Sequence, residues 1–209
     1  MNSSWIDLNN SPTLPSAVMS WHDVPGWFRW RSGQEEAVAH FPEGSRFVEV
    51  GLYLGRSICS LADVTRTAGK QFCLIGVDTC QGSGEEGKMG KDYHCAAVRE
   101  GGGTLAGQLH RNILQCGFGD SLTIFIASSH RAAELFAEQS LDWVHLDARH
   151  DYDNVKADIA AWLPKVRSGG WLSGDDFGDE KWPGVTAAVL ESLPGASEWS
   201  DGQWRWVVA

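Results

Sequence analysis

In Arg46-Phe47-Val48-Glu49-Val50-Gly51-Leu52-Tyr53-Leu54-Gly55-Arg56-Ser57 an apolar run stops at one glycine, crosses to a second and enters a helical stretch. The apolar run reads as a buried strand. Glycine lets the backbone turn sharply out of it and lets a ligand approach the main chain. A helix starting near Gly55 then offers free N–H groups and the positive end of its dipole to an anion. The spacing is G-x-x-x-G-x-S, not the G-x-G-x-x-G that cradles a pyrophosphate, and it suits a carboxylate better. A nicotinamide oxidoreductase is therefore the weakest reading.

Outward from this turn, short apolar runs alternate with helical stretches. The expected strands are Arg46–Gly51, Phe72–Asp78, Leu122–Ser128, Asp142–Asp147 and Gly170–Gly174. Between them the pattern predicts helices over Gly55–Ala68, Leu105–Cys116, Arg131–Gln139 and Asn154–Leu163. Such alternation implies a mostly parallel sheet covered on both faces. Val185–Ser192 reads as a further helix, and Gln203–Val208 as a closing strand paired back through the Asp201–Gly202 turn. Residues 1–45, with a short helix near Gly33–His40, form a Trp-rich cap before a domain spanning 46–209. Its tryptophans Trp5, Trp21, Trp27 and Trp30 are expected to serve mostly as packing, with one or two walling a pocket. The glycine-rich stretch from Cys80 to Gly103 lacks periodicity and is expected to be a mobile active-site loop.

Acidic residues at the strand ends carry chemistry. Asp78, at the tip of the second strand, is placed to accept hydrogen bonds from ribose hydroxyls. Leu141-Asp142-Trp143-Val144-His145-Leu146-Asp147-Ala148-Arg149-His150-Asp151-Tyr152 ends a strand in Asp147 and puts His150 three residues later. The next strand ends in Asp175-Asp176, so three carboxylates converge at one sheet edge. Their mutual repulsion calls for a counter-charge. Mg²⁺ or Mn²⁺ held by Asp147, Asp175 and Asp176 would supply it. His150, with a reference pKa near ~6.5, is expected to be largely neutral at pH 7 and to act as general base. Asp147 joins it as a catalytic residue, whereas His145 lies inside the strand and reads as a core histidine.

Composition bounds the partners. The chain has 209 residues and a net charge of −10, which disfavours a nucleic-acid partner. Its apolar runs are too short to span a bilayer. Residues 1–20 lack a secretory pattern. The five cysteines form no C-x-x-C pair, which argues against a disulfide scaffold or zinc site and for a cytoplasmic home. Self-association into a homo-oligomer is left open.

These residues resemble the class I S-adenosylmethionine (SAM)-dependent methyltransferases, in particular the small metal-dependent O-methyltransferases. The likeness runs from about Arg46 to Val208. It is most specific over Ser140–Tyr152 and on through Val155–Gly170, which is similar to the bacterial sugar- and antibiotic-tailoring branch, macrolide sugar methyltransferases included. Glu49–Ser57 is similar to the cofactor loop of catechol O-methyltransferases. The resemblance implies an α/β, Rossmann-like fold with a mostly parallel seven-stranded sheet, helices on both faces and a C-terminal antiparallel hairpin. It also implies that SAM lies against Glu49, Gly51, Tyr53, Gly55 and Ser57, its ribose on Asp78, its adenine near Ser128 and Ser129, with Asp147 close by. The acceptor would be a hydroxyl of a small molecule, such as a sugar or glycosylated natural product. Many relatives carry Gly-His-Asp-Tyr where this chain has Gly174-Asp175-Asp176-Phe177. Catechol-type enzymes place a lysine where His150 stands, which points to the sugar-tailoring branch. A metal-independent methyltransferase and a non-catalytic SAM-binding scaffold are the alternatives.

Overall fold

The computed structural model describes residues 19–86 and 89–209. Trp5 and most of the segment read for a secretory signal lie outside the described residues. Seven strands form one sheet in the order β3-β2-β1-β4-β5-β7-β6. They are β1 (Arg46–Val50), β2 (Cys73–Asp78), β3 (Leu122–Ile126), β4 (Leu141–Leu146), β5 (Val166–Gly174), β6 (Ser197–Ser200) and β7 (Gln203–Val207). The first five run parallel, and β7 pairs antiparallel with both β5 and β6. Asp201 and Gly202 both have positive φ in the β6–β7 turn, the requirement of a tight hairpin twisted like its strands.

Helices cover both faces: α1 (Arg31–His40), α2 (Arg56–Thr67), α3 (Cys95–Glu100), α4 (Ala106–Gln115), α5 (Ser129–Ala133), α6 (Tyr152–Trp162) and α7 (Pro183–Ser192). Alternate strand residues feed two cores. Phe47, Leu74, Trp143 and Trp171 pack with Trp30 and the residues of α1, α2 and α4. Val48, Ile75, Val144 and Leu172 pack on the other face with Ile159, Trp162 and Val189. His145 is buried on the first face as expected, its Nδ1 2.9 Å from Ser173 Oγ and its ring 4.0 Å from that of Trp30.

Three expectations are corrected. The helix expected over Arg131–Gln139 is confined to Ser129–Ala133, because Leu135 and Phe136 donate to carbonyls three residues back and unwind it. Strand β5 begins at Val166, ahead of the apolar run at Gly170, held by pairing of Val166 with Leu141. The 80–103 segment contains α3, closed by Gly101 and Gly103 donating to Ala97 and Val98. Among the described residues, no helix is long and apolar enough to cross a membrane.

After β1 the chain builds outward to β2 and β3; β4 and β5 build the other way. The order reverses between β1 and β4, and such a switch point opens a crevice at the carboxyl ends of the strands.

Candidate active site

A cavity of about 600 Å³ occupies that crevice, within the ~300–1,000 Å³ of small-molecule sites. Its base is the junction of β1 and β4, where Asp147 donates its N–H to Val50 O at 2.7 Å. Gly51 has φ +94°, and a Cβ there would lie 1.9 Å from Asp147 O, so no other residue fits. Asp78 braces the loop above. Its Oδ2 accepts the N–H groups of Leu52 and Tyr53 at 2.7 and 3.0 Å, and its Oδ1 that of Cys80 at 2.6 Å.

On the β4–β5 side, ligand atoms of Asp147, His150 and Asp176 all lie within 4.8 Å of one another. His150 Nε2 is 3.3 Å from Asp147 Oδ1 and 3.1 Å from Asp176 Oδ2. Its Nδ1 faces Glu86 Oε2 at 3.3 Å, and its backbone N–H donates to the same oxygen at 2.9 Å. Burial alone would lower the imidazole pKa, but hydrogen bonds to Asp147, Asp176 and Glu86 raise it well above the ordinary value. The expectation of a histidine neutral at pH 7 is therefore corrected: these carboxylates hold its proton. Burial, and then Asp147 and Asp176, push Asp175 up to about 7. Asp175 stands beside the cluster. Its Oδ1 accepts from the Asp176 N–H at 2.8 Å and faces Arg29 Nη2 at 3.6 Å.

Glu86 and Arg29 were not singled out in the sequence. Glu86 is 4% exposed and sits in the glycine-rich segment, where no periodicity marks it. Arg29 lies in the Trp-rich cap, 3.5 Å from Asp176 Oδ1, anchored by its Nε on Asp201 O. Two carboxylates and an imidazole so close, with Asp175 and Glu86 adding negative charge, fit a divalent cation.

A family model for the methyltransferase domain matches residues 48–177. The chain belongs to that family. Comparison with curated proteins returns no match. Among solved structures, it is similar to the O-methyltransferase NovP at 16% identity and TM-score 0.59, covering 86% of this chain and 79% of that one. Cofactor-bound Rv0187 from MTB matches at 17% identity and TM-score 0.58, over 89% and 84% of the two chains. The calicheamicin methyltransferase CalS11 matches at 17% identity and TM-score 0.53, over 84% and 77%. These likenesses show the fold, the Rossmann-like methyltransferase plan expected from the sequence.

The methyltransferase brings Gly51, Tyr53, Ser57, Asp78, Ser128 and Ser129 onto one cavity wall, and Asp147, His150, Asp175 and Asp176 onto another. Ser129 Oγ accepts the Trp162 Nε1–H at 2.8 Å, which ties that wall to α6. Glu49 and Gly55 stand behind the loop and off the cavity surface. Glu49 is buried and accepts the Ser57 hydroxyl, and burial pushes its carboxyl up to about 8. Gly55 serves the turn, with φ +90° as it caps α2. Of the N-terminal tryptophans, Trp27 walls the cavity while 68% exposed, and Trp30 is core. Trp27 packs on Tyr53 at 5.4 Å. Trp182, Tyr93 and Lys181 complete the rim, with Lys181 Nζ 3.9 Å from the centre of the Tyr93 ring.

Proposed function

We propose that this methyltransferase uses SAM to methylate a hydroxyl of a small acceptor, a sugar or glycosylated natural product, assisted by a divalent metal. The observation carrying this reading is the meeting of Asp147, His150 and Asp176 beside the glycine loop. A hydroxyl oxygen attacks the sulfonium methyl in line, the C–S bond breaks, and the thioether leaves neutral. The protein must then orient the acceptor and remove its proton. His150 acts as base from the form in which Nε2 has given up the proton that Asp147 and Asp176 favour there, while Nδ1, facing Glu86 Oε2 at 3.3 Å, keeps its own. Asp147 and Asp176 would hold the metal, with Asp175, beside Asp176 in the chain, adding carboxylate charge. When bound, the ion supplies positive charge that lowers a hydroxyl pKa and offsets the carboxylates around His150.

The acceptor class is supported by the aromatic rim of Trp27, Tyr93 and Trp182, whose flat faces suit an amphipathic ring. A structural neighbour, CalS11, is a TDP-rhamnose 3′-O-methyltransferase. Five free thiols fit a reducing, cytoplasmic setting. One observation favours a metal-independent variant of the same reaction: Arg29 already offers positive charge to Asp175 and Asp176.

Calorimetric titration with SAM, alone, with Mg²⁺ and with EDTA, tests the reading. Micromolar SAM binding plus a separate Mg²⁺ heat, lost in Asp147→Ala, is expected. No SAM binding under any condition would overturn it, whereas SAM binding without a Mg²⁺ heat would select the metal-independent variant.

A further inference from the structure

The cavity wall carries a second histidine, His94, joined to the first by a short polar chain. His150 Nδ1 faces Glu86 Oε2 at 3.3 Å, Ser83 Oγ donates to Glu86 Oε1 at 2.5 Å, and His94 Nδ1 lies 2.9 Å from the same Ser83 oxygen. Counting hydrogens fixes the direction of the chain. Burial opposes ionisation of Glu86, but His150 and Ser83 outweigh it and hold the carboxyl below its ordinary value. Glu86 is therefore a carboxylate, which only accepts. A serine hydroxyl has one hydrogen, and Ser83 directs it to Glu86. Towards His94 the hydroxyl is thus an acceptor, and Nδ1 carries the hydrogen. Burial lowers the His94 pKa, with Glu86, Asp78 and Asp92 opposing, so the ring is neutral at pH 7. In that tautomer Nε2 is a bare acceptor. Among the described residues, the ring's one hydrogen bond is that to Ser83, which leaves Nε2 without a donor. The residue is otherwise well held. Its N–H donates to Asp92 Oδ1 at 2.9 Å, and its ring packs 4.9 Å from Tyr53 and edge-on, 6.0 Å from Trp27, both on the cavity wall.

Every hydrogen in this chain is directed toward Glu86, from His150 on one side and from His94 through Ser83 on the other. The chain therefore orients the two rings and carries no proton between them. We propose that His94 is a positioning residue for the acceptor, its Nε2 accepting a hydrogen bond from a second hydroxyl of the sugar beside Trp27. Its Nδ1–H, through Ser83 and Glu86, keeps that contact in register with His150. The acceptor class narrows accordingly to a polyol, which offers one hydroxyl for methylation and another as a donor. An acceptor with a lone hydroxyl would leave Nε2 unpaired, at the cost of a lost hydrogen bond. The assignment rests on the hydroxyl-acceptor reading above.

Asparagine and glutamine divide the imidazole between them. His94→Asn can keep an N–H for Ser83 and lacks the outer acceptor; His94→Gln can place an amide oxygen near Nε2 and lacks the Ser83 contact. The experiment is steady-state methyl transfer from labelled SAM, in Mg²⁺, to TDP-rhamnose, methyl rhamnoside and its monodeoxy analogues. Calorimetry with S-adenosylhomocysteine runs beside it. Wild type is expected to favour the parent sugar over one monodeoxy analogue by roughly 10- to 100-fold, the weight of a hydrogen bond to a built acceptor. His94→Asn should erase that preference and raise KM about 10-fold, more than it lowers kcat. His94→Gln should keep the preference and lower kcat about 10-fold, more than it raises KM, as loss of an orienting partner does. Both should bind S-adenosylhomocysteine as wild type does. Identical changes in the two variants would make His94 merely structural, and a matching loss of S-adenosylhomocysteine affinity would give Nε2 to the cofactor; either result overturns the assignment. Wild type that binds S-adenosylhomocysteine but methylates none of these sugars would instead sink the sugar-acceptor reading, and this one with it.

Discussion

His150 has two working edges, and different carboxylates hold them. Asp147 and Asp176 face Nε2 at 3.3 and 3.1 Å, while Glu86 faces Nδ1 and accepts the backbone N–H. A ring held this way cannot rotate without breaking contacts on both sides. Ser83 donates to Glu86 Oε1 at 2.5 Å, so the holding carboxylate is itself held. His150→Ala is expected to lower turnover roughly 10²- to 10⁴-fold, the weight of a general base, with SAM affinity retained. Glu86→Gln keeps the shape and removes the charge, and should cost about 10- to 100-fold, as loss of an orienting partner does. Adding Glu86→Gln to His150→Ala should cost little more, because the two act through one ring. Single-turnover methyl transfer from labelled SAM, with a panel of hydroxylated sugars, measures all three. An additive double variant would show that Glu86 acts independently of His150.

The elements separate stability from chemistry along β4. Its carboxyl end carries Asp147 into the cavity, and near its amino end Asp142 ties three strands together. Asp142 Oδ2 accepts the Arg46 N–H of β1 at 2.7 Å, and Oδ1 accepts Arg167 Nε of β5 at 2.7 Å. Asp142→Ala should therefore cost about 1–3 kcal/mol and lower the melting temperature by several degrees, without changing SAM affinity. A large affinity loss in that variant would mean that the two ends of the sheet are coupled. Legibility follows the same division. Strands β1, β2 and β4 were readable because strands covered on both faces need largely apolar runs, here interrupted only singly, as by Glu49 and His145. Asp78, Asp147 and His150 were readable because each sits at or just past such a run. The start of β5 was not, since Val166-Arg167-Ser168-Gly169 is a strand only through its neighbours: Gly169 donates to Val208 O at 2.8 Å. Glu86 and Arg29 were hidden for a related reason. Loops carry them to the cluster from far away in sequence, and no local period encodes that approach.

At the scale of the whole molecule, a few of the carboxyls are buried where ionisation costs stability. Burial pushes Glu49 from 4.5 to about 8. The folded state thus binds a proton that the unfolded chain releases, and the stability this contributes is lost as pH rises toward 8. His145 acts in the opposite sense over a lower range. Burial depresses it from 6.5 to about 3, so protonation of the unfolded chain costs stability as pH falls below 6.5. Between pH 4.5 and 6.5 the two effects offset; above 6.5 the Glu49 effect continues, and His150 and Asp175, which also hold their protons more tightly in the folded state, add to it. In EDTA, the melting temperature is therefore expected to fall from pH 6.5 to 8. Glu49→Gln, a neutral isostere that can still accept the Ser57 hydroxyl, should flatten that fall. Added Mn²⁺ should raise the melting temperature more at pH 8 than at 6.5, because ligands must be deprotonated to bind it. Scanning calorimetry of the wild type and Glu49→Gln across this range separates the contributions. A slope unchanged by Glu49→Gln would move the titrating group to the Asp147–Asp175–Asp176 edge, where Asp175, pushed up to about 7, has the same sign.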